Sequence, residues 1–265
     1  MTTDTAPGPV GWRSGWALGA LGVAGAALLY EVAVRALFEP RHVPPLSACL
    51  PAAVELLGTG AFWSATGATL GAAGLGTALA LLAGIALGFG IGSVPWLLRL
   101  TSSTLDFLRP VPPIVLIPVL VFLLDVGQIT VLLVAVSGFW IVLFQVLYGL
   151  RDVDPVAVDT ARCLRLGPLA RARHVTWPTV LPYLATALRL VVSVALALAV
   201  TGGLVMGAAG LGELIWRSQE AGEVTRMYGL VLLTGCLGVA LDLLARAAER
   251  RLLHWHLATR RAALT

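Results

Sequence analysis

The charged residues between positions 151 and 182 are those whose types and spacing could do chemistry. Acidic residues come first, with Asp152, Asp154 and Asp159, and the basic residues Arg173 and His174 follow. This order favours helical structure, because carboxylates stabilise the N-terminal end of a helix dipole and cations its C-terminal end. Neither H-E-x-x-H nor G-x-S-x-G occurs in the chain, so the cluster indicates binding rather than catalysis.

Three roles are open to this basic segment. It can be an arginine-rich loop on the cytoplasmic side of a membrane, a surface that lies on anionic lipid, or a surface that docks into a partner protein. Its apolar residues recur at helical spacing, and Gly167-Pro168 divides it into two short pieces. We expect Pro178 and Pro182 to end the helical run and to redirect the chain.

The chain contains no lysine, since all 18 of its basic residues are arginine. A phosphate-binding P-loop ends in G-K-[ST], so any nucleotide energy must come from another polypeptide. The three cysteines lie far apart, and His254 and His256 would lie on different faces of a helix. The sequence therefore predicts no metal site, no disulfide framework and no cofactor in this chain.

The composition is that of an integral membrane protein. Hydrophobic residues make up 58% of the 265 residues and charged residues only 12%, and the mean hydropathy is +0.90. Soluble domains carry roughly 25% charged residues. The composition thus argues against a soluble enzyme and against a disordered chain.

We predict an all-α, polytopic membrane protein with about six transmembrane helices, each near the ~20 residues that cross a bilayer. Residues 110–150 would be about 61 Å long as a single helix, so two short spans with a turn at Asp125 are favoured. The predicted spans are residues 16–38, a span within the uncharged stretch 61–98, and residues 110–124, 126–150, 183–207 and 227–246.

Arginine distribution then predicts the orientation. With both termini in the cytoplasm, fourteen arginines lie inside and four outside, which satisfies the positive-inside rule. Five spans with an external N-terminus would give thirteen inside, and only the length argument excludes that arrangement. We predict a disordered N-terminus over residues 1–15, a membrane domain over 16–250 and a cytoplasmic tail over 251–265.

Several motifs resemble those of the permeases of binding-protein-dependent ABC importers, in particular the nitrate, sulfonate and taurine branch. The family's cytoplasmic EAA loop reads E-A-A-x3-G-x9-I-x-L-P, and Asp159, Ala161, Val175, Trp177 and Pro178 occupy matching positions. Leu108-Arg109-Pro110-Val111-Pro112-Pro113 and Gly210-Leu211-Gly212-Glu213-Leu214-Ile215 also fit the family, over about residues 45–256. Arg165 stands at the usual glycine, which would permit a turn, so we expect the nearby Gly167 to supply that turn instead. Gly202-Gly203 stand at the usual Ala-Glu. Both departures indicate a divergent member.

The resemblance implies a type I importer fold in the cell membrane, in which two copies, usually identical, form the path for a small solute such as a sulfonate or nitrate. Separate ATPase subunits, which carry ATP and Mg²⁺, would bind the 151–182 loop, and an extracytoplasmic binding protein would deliver the solute. No nucleic acid is expected. The residues assigned to ATPase coupling are Asp159, Ala161, Leu164, Arg165, Gly167, Leu169, Arg173 and Pro178.

Small residues carry two further expectations. Gly67/Gly71, Gly84/Gly88 and Gly88/Gly92 have the spacing of close helix packing in lipid. Ser193, Thr201, Gly202 and Gly203 either line the translocation path or form a helix contact. The rival classes are a membrane enzyme, or a secondary transporter or channel without an ATPase, and co-purification of an ATPase discriminates them from a permease.

Overall fold

The computed structural model describes residues 12–39 and 42–253, and within these ranges all regular structure is helical. The helices that follow are numbered in chain order. They are α1 (Trp12–Leu37), α2 (Leu46–Leu57), α3 (Gly60–Gly92), α4 (Pro95–Leu108), α5 (Ile117–Leu120), α6 (Val126–Arg151), α7 (Pro155–Cys163), α8 (Pro168–Arg171), α9 (Trp177–Met206), α10 (Leu211–Glu220) and α11 (Val224–Leu252).

Glycines on α3 allow it to lie directly against α6. A Cβ atom at Gly84 would come within 2.7 Å of Val142, and one at Gly88 within 2.7 Å of Val146. Residue numbers rise together in these pairs, so the two helices run parallel. The expected packing of Gly84, Gly88 and Gly92 is confirmed, whereas Gly67 has open space around it. Lipid supplies no hydrophobic drive between helices, so close backbone approach stabilises this pair.

Helix α9 packs against α6 in the opposite direction. Gly149 of α6 meets Val180 near the start of α9, and Gly202 near the end of α9 meets Thr130. Val142, Val146, Val180, Leu184, Ala187 and Val191 form the buried core between these helices. The bundle therefore has an Arg151 end, where α3 and α6 finish and α9 begins, and a Val126 end opposite.

The predicted third span, residues 110–124, is wrong as a single helix. The segment instead contains a 3₁₀ turn at Pro113–Leu116 and α5, and this short helical stretch is bent by 80° from α4, which precedes it. Prolines at 110, 112 and 113 explain the break, because proline lacks an N–H and disfavours helical geometry in the residue before it. Since α3 and α6 are parallel, this broken segment must carry the chain back from the Arg151 end to the Val126 end.

The other predicted spans correspond to α1, α3, α6, α9 and α11, each long and apolar enough to cross a bilayer. Two boundaries differ from the predicted domain limits. Residues 12–15, assigned to a disordered N-terminus, belong to α1, and α11 continues to Leu252. Residues 1–11 and 254–265 lie outside the described ranges, so those parts of the predicted N-terminus and tail stay predictions.

Two short helices cover the Val126 end. Helix α2 packs against the start of α11, where Gly229 meets Ala53. Helix α10 is held to α3 by a hydrogen bond of 2.9 Å, in which the Leu211 N–H donates to Thr69 Oγ1. Both helices are too short to span a bilayer of about 30 Å, and they place a structured surface at this end.

Candidate coupling segment and translocation path

The segment 151–182 begins with α7, as its sequence predicts. Asp154 caps this helix, because its Oδ1 accepts a hydrogen bond of 2.8 Å from the Val156 N–H, and Pro155 occupies the first turn. Both features are typical of helix starts. Asp159 lies exposed on α7 and pairs with Arg162 at 2.8 Å.

The turn after α7 places an arginine in a conformation that favours glycine. The Leu166 N–H donates to the Ala161 carbonyl at 3.0 Å, and the Arg165 N–H donates to the Arg162 carbonyl at 2.9 Å. These bonds define a Schellman motif, whose residue after the helix cap is left-handed. Arg165 has φ +55° and is the non-glycine residue with positive φ in the described ranges.

The Arg165 conformation corrects one expectation from the sequence. A glycine at this position would permit a turn, and we expected Gly167 to supply it instead. Gly167 has φ −63° and precedes α8 in an extended conformation. The turn is thus made at Arg165 itself, with the strain that a Cβ atom brings in this region.

Apolar side chains flank this turn and point away from the bundle. Leu164 is 69% exposed and Leu169 is 83% exposed, and Val156 on α7 is exposed as well. Neither leucine packs onto the spans of its own chain. Ala161 differs, since it is only 3% exposed and packs against its own chain. Its assignment to the ATPase-coupling surface stays a prediction.

The second half of the segment is continuous with the fifth span. After α8, a π-helical turn at Ala172–Thr176 leads directly into α9, and Pro178 and Pro182 lie inside the helical run. The expectation that these prolines end the run is therefore wrong. Pro178 is tolerated because it occupies the first turn of α9, where its missing N–H is least costly. Arg173 is exposed on the π-turn.

The four residues predicted to line a path fall into two groups. Gly202 and Gly203 are buried. A Cβ atom at Gly202 would lie 2.6 Å from Thr130 Oγ1, and one at Gly203 would lie 2.7 Å from the Glu213 backbone nitrogen. Both glycines thus make close helix contacts, and their role in a path stays a prediction. Ser193 is exposed and Thr201 half-buried on α9, with hydroxyls bonded to the carbonyls of Arg189 and Ala197.

Ion pairs hold several charges in the spans. Two pairs join residues four positions apart on one helix, with Arg35 and Glu31 separated by 2.7 Å and Arg246 and Asp242 also by 2.7 Å. Arg189 of α9 has a partner that the sequence did not reveal, Glu249 of α11, at 3.5 Å. The two residues are far apart in the sequence, so spacing does not predict the pair. Antiparallel packing of α9 against α11 would have predicted that they lie at the same end of the bundle.

The model of the binding-protein-dependent transport system inner membrane component matches residues 76–254. The chain belongs to this family. It is a transport permease, and it is a multi-pass protein of the inner membrane.

Individual relatives agree with the family assignment. The taurine transport system permease protein TauC of Escherichia coli is 29% identical over 86% of this chain and 85% of its own. The bicarbonate transport system permease protein CmpB of Synechocystis is 28% identical over 70% of this chain and 67% of its own. Among solved structures, the MetNI methionine ABC transporter in an inward-facing conformation has a TM-score of 0.58 at 21% identity, covering 75% of this chain and 97% of that one, which shows a shared fold.

Proposed function

We propose that two copies of this chain form the membrane path of an ATP-driven importer of a small anion, and that a separate ATPase grips the segment 151–182. The family assignment supports a permease that works with an ATPase and a binding protein. The docking residues, the homodimer and the anionic solute are the proposed parts.

The observation that carries the docking proposal is the exposure of Leu164 and Leu169 on either side of a hydrogen-bonded turn. Isolated exposed leucines need no explanation on a protein surface. Here they occur together with Arg165 and Arg173 in one short, structured segment. Buried apolar anchors beside arginines are typical of the energetic centre of a protein interface.

The position of the segment agrees with this role. It lies at the Arg151 end, with the starts of α4 and α9 and most of the chain's arginines. The positive-inside rule assigns such an end to the cytoplasm, where ATP is available to the partner ATPase. The Val126 end, covered by α2 and α10, would then receive the external binding protein.

The solute class follows from the relatives' names. They are permeases for bicarbonate, taurine, nitrate and aliphatic sulfonates. All four solutes carry at least one anionic oxygen group, although their sizes differ. A small oxyanion is therefore the solute class that these relatives favour for this chain.

Co-purification with the cognate ATPase tests the docking assignment. In the double variant Leu164→Asp/Leu169→Asp, two apolar contacts are replaced by charges that a buried interface would leave unpaired. We expect this variant to insert into the membrane normally and to lose ATPase association. Gln219→Asp is the matched control, because Gln219 is exposed on α10 at the opposite end.

Two results would contradict the proposal. ATPase retention by the double variant would remove Leu164 and Leu169 from the docking surface. Solute transport by the wild-type chain without any ATPase would favour a secondary transporter or channel. Crosslinking between two copies in the membrane tests the homodimer independently.

A further inference from the structure

Arg109 lies inside the membrane layer. It follows the last residue of α4, and its guanidinium carbon is 4.6 Å from the centre of the Phe144 ring on α6. At 1.5 Å per residue, Phe144 is about 10 Å and Ser137 about 21 Å from the Arg151 end of α6. Since α6 crosses a hydrocarbon core of about 30 Å, these positions lie within it.

Arg109 has no carboxylate partner among the described residues, unlike two arginines of the long spans. Arg189 pairs with Glu249 and Arg246 pairs with Asp242. Within residues 12–39 and 42–253, the Arg109 guanidinium makes a cation–π interaction with the Phe144 ring and no ion pair. Ionisable side chains within a bilayer face the bundle interior or a water-filled cavity. An uncompensated guanidinium at this depth therefore points to an aqueous path.

The backbone at Arg109 is broken at the same depth. The chain bends by 80° between α4 and the 3₁₀ turn that starts at Pro113. Non-helical backbone at membrane depth is tolerated where protein buries it or where it lines a water-filled cavity. Residues 109–112 are exposed on this chain, so the break faces a cavity or the second copy. Discontinuous helices form the substrate sites of many transporters.

A cavity of about 210 Å³ adjoins this break. A water molecule occupies about 30 Å³ in the liquid, so the cavity has room for a small anion together with a few waters. The guanidinium, the Ser137 hydroxyl and the Trp140 indole provide hydrogen-bond donors. The lining residues are Arg109, Val111, Pro113, Ser137, Trp140 and Ile141.

The nearest carboxylate in sequence does not line this cavity. Asp106, one turn earlier on α4, borders a separate depression with Ser102, Tyr148 and Arg151. No ion pair joins Asp106 to Arg109 in the ranges that the structure describes. The positive charge of the Arg109 cavity is therefore not neutralised from its own lining.

We propose that the Arg109 cavity binds a small oxyanion, with the guanidinium fork donating to two of its oxygens. Arginine matches such groups because its planar donors can engage two oxygens at once. The assignment of this anion as the imported solute rests on the function proposed above. Trp140 and Phe144 then shape the site, and Ser137 supplies one further donor.

Tryptophan fluorescence of the full chain in lipid nanodiscs tests the proposal, because Trp140 lines the cavity. Iodide, an anionic quencher, and caesium, a cationic one, are titrated at constant ionic strength, and the Trp140→Phe variant gives the contribution of Trp140. We expect saturable iodide quenching that nitrate and methanesulfonate compete away more strongly than chloride does. Choline is expected to have no effect.

Arg109→Gln separates the charge from the shape. We expect its iodide affinity to fall about tenfold, as for loss of a charged hydrogen-bonding group, and its caesium quenching to rise. Arg99→Gln, on the same helix and also exposed, is the matched control and should leave both unchanged. If quenching by both iodide and caesium rises in Arg109→Gln, the substitution has opened the structure locally. Arg109→Lys then tests the site, because iodide quenching must remain saturable where the positive charge is kept.

Several results would overturn the site. They are linear iodide quenching in the wild type, equal affinity in Arg109→Gln, loss of saturation in Arg109→Lys, and equal competition by chloride and nitrate. ATPase co-purification is measured separately. A chain that binds the ATPase but shows no saturable quenching refutes the cavity alone, whereas a chain that saturates but binds no ATPase refutes the importer alone.

Discussion

Replacing Arg165 by glycine should stabilise the turn at the end of α7. Arg165 has φ +55°, and both bonds of the Schellman motif depend on this left-handed backbone. A side chain in this region brings its Cβ atom too close to the following carbonyl. Glycine removes that contact and leaves the two hydrogen bonds in place.

The size of the effect follows from two opposed terms. Left-handed geometry costs a non-glycine residue roughly 1–2 kcal/mol. Glycine loses about 0.5–1 kcal/mol more conformational entropy on ordering than alanine does. The net gain is therefore about 0.5–1 kcal/mol, which corresponds to roughly two- to fivefold slower local opening.

Hydrogen exchange of the peptide that contains residues 155–170 measures this opening. The amides of Arg165 and Leu166 should exchange more slowly in Arg165→Gly. Arg165→Ala is the control, because it removes the guanidinium but keeps the Cβ atom, and it should leave exchange near the wild-type rate. If exchange slows equally in both variants relative to the wild type, then charge repulsion, and not backbone strain, destabilises the turn.

Three further predictions concern packing, the α10 anchor and orientation. Gly84→Ala should destabilise the protein by about 1–3 kcal/mol, because the added methyl group would overpack against Val142. Gly90 has open space around it, so Gly90→Ala should stabilise the protein by about 0.5–1 kcal/mol. Thermal unfolding in detergent compares the two variants, and equal shifts in their unfolding temperatures would contradict the α3–α6 register. Thr69→Val should lower the free energy of unfolding by about 1–3 kcal/mol, because it leaves the buried Leu211 N–H without its acceptor. Hydrogen exchange over residues 207–220 should become faster in this variant, whereas Thr69→Ser should retain the protection. In a Cys236→Ser background, which removes the second exposed cysteine near the middle of α11, a membrane-impermeant maleimide should label the exposed Cys163 in inside-out vesicles only. Cys49 is buried, and both its burial and the nearby Glu31 charge raise the pKa of its thiol. Labelling in right-side-out vesicles would invert the proposed topology.

Hydropathy and arginine distribution were sufficient to predict most of the membrane domain. Five of the predicted spans correspond to long helices, because an uninterrupted apolar run in lipid can satisfy its backbone only as a helix. The failure lies at residues 110–124, where four prolines, including Pro118, occur in one short apolar stretch. Counting apolar residues gave a span there, while proline chemistry favours a broken one.

The parallel packing of α3 and α6 shows that the broken segment between them crosses the bundle. Composition alone leaves five or six spans open, because neither α4 nor the turn after it is long enough by itself. The contacts of Gly76 with Val134 and of Gly88 with Val146 require α3 and α6 to start at the same end. Such register is a property of the fold, and no pattern within residues 93–125 contains it.

At the coupling segment, the sequence did not predict the turn at Arg165. The family motif has a glycine at this position, and Arg165 adopts a left-handed conformation there in spite of its side chain, whereas the turn was expected at Gly167. Exposure could not be predicted from the sequence either. Ala161 and Leu164 are three positions apart on a short helix, yet one is buried and the other is exposed, because the contact surface depends on how α7 lies against the bundle.

The continuity of α8, the π-turn and α9 gives the proposed docking surface a direct mechanical route into the membrane. A break at Pro178 would let the segment move without the span. Instead the helical run passes from Pro168 to Met206 with one π-turn, and the Tyr183 hydroxyl donates to Asp152 Oδ2 at 3.0 Å, which ties both ends of the segment together. We therefore expect displacement of Leu169 to tilt α9 and the surface that carries Ser193 and Thr201, because a continuous helical run resists bending more than a loop does.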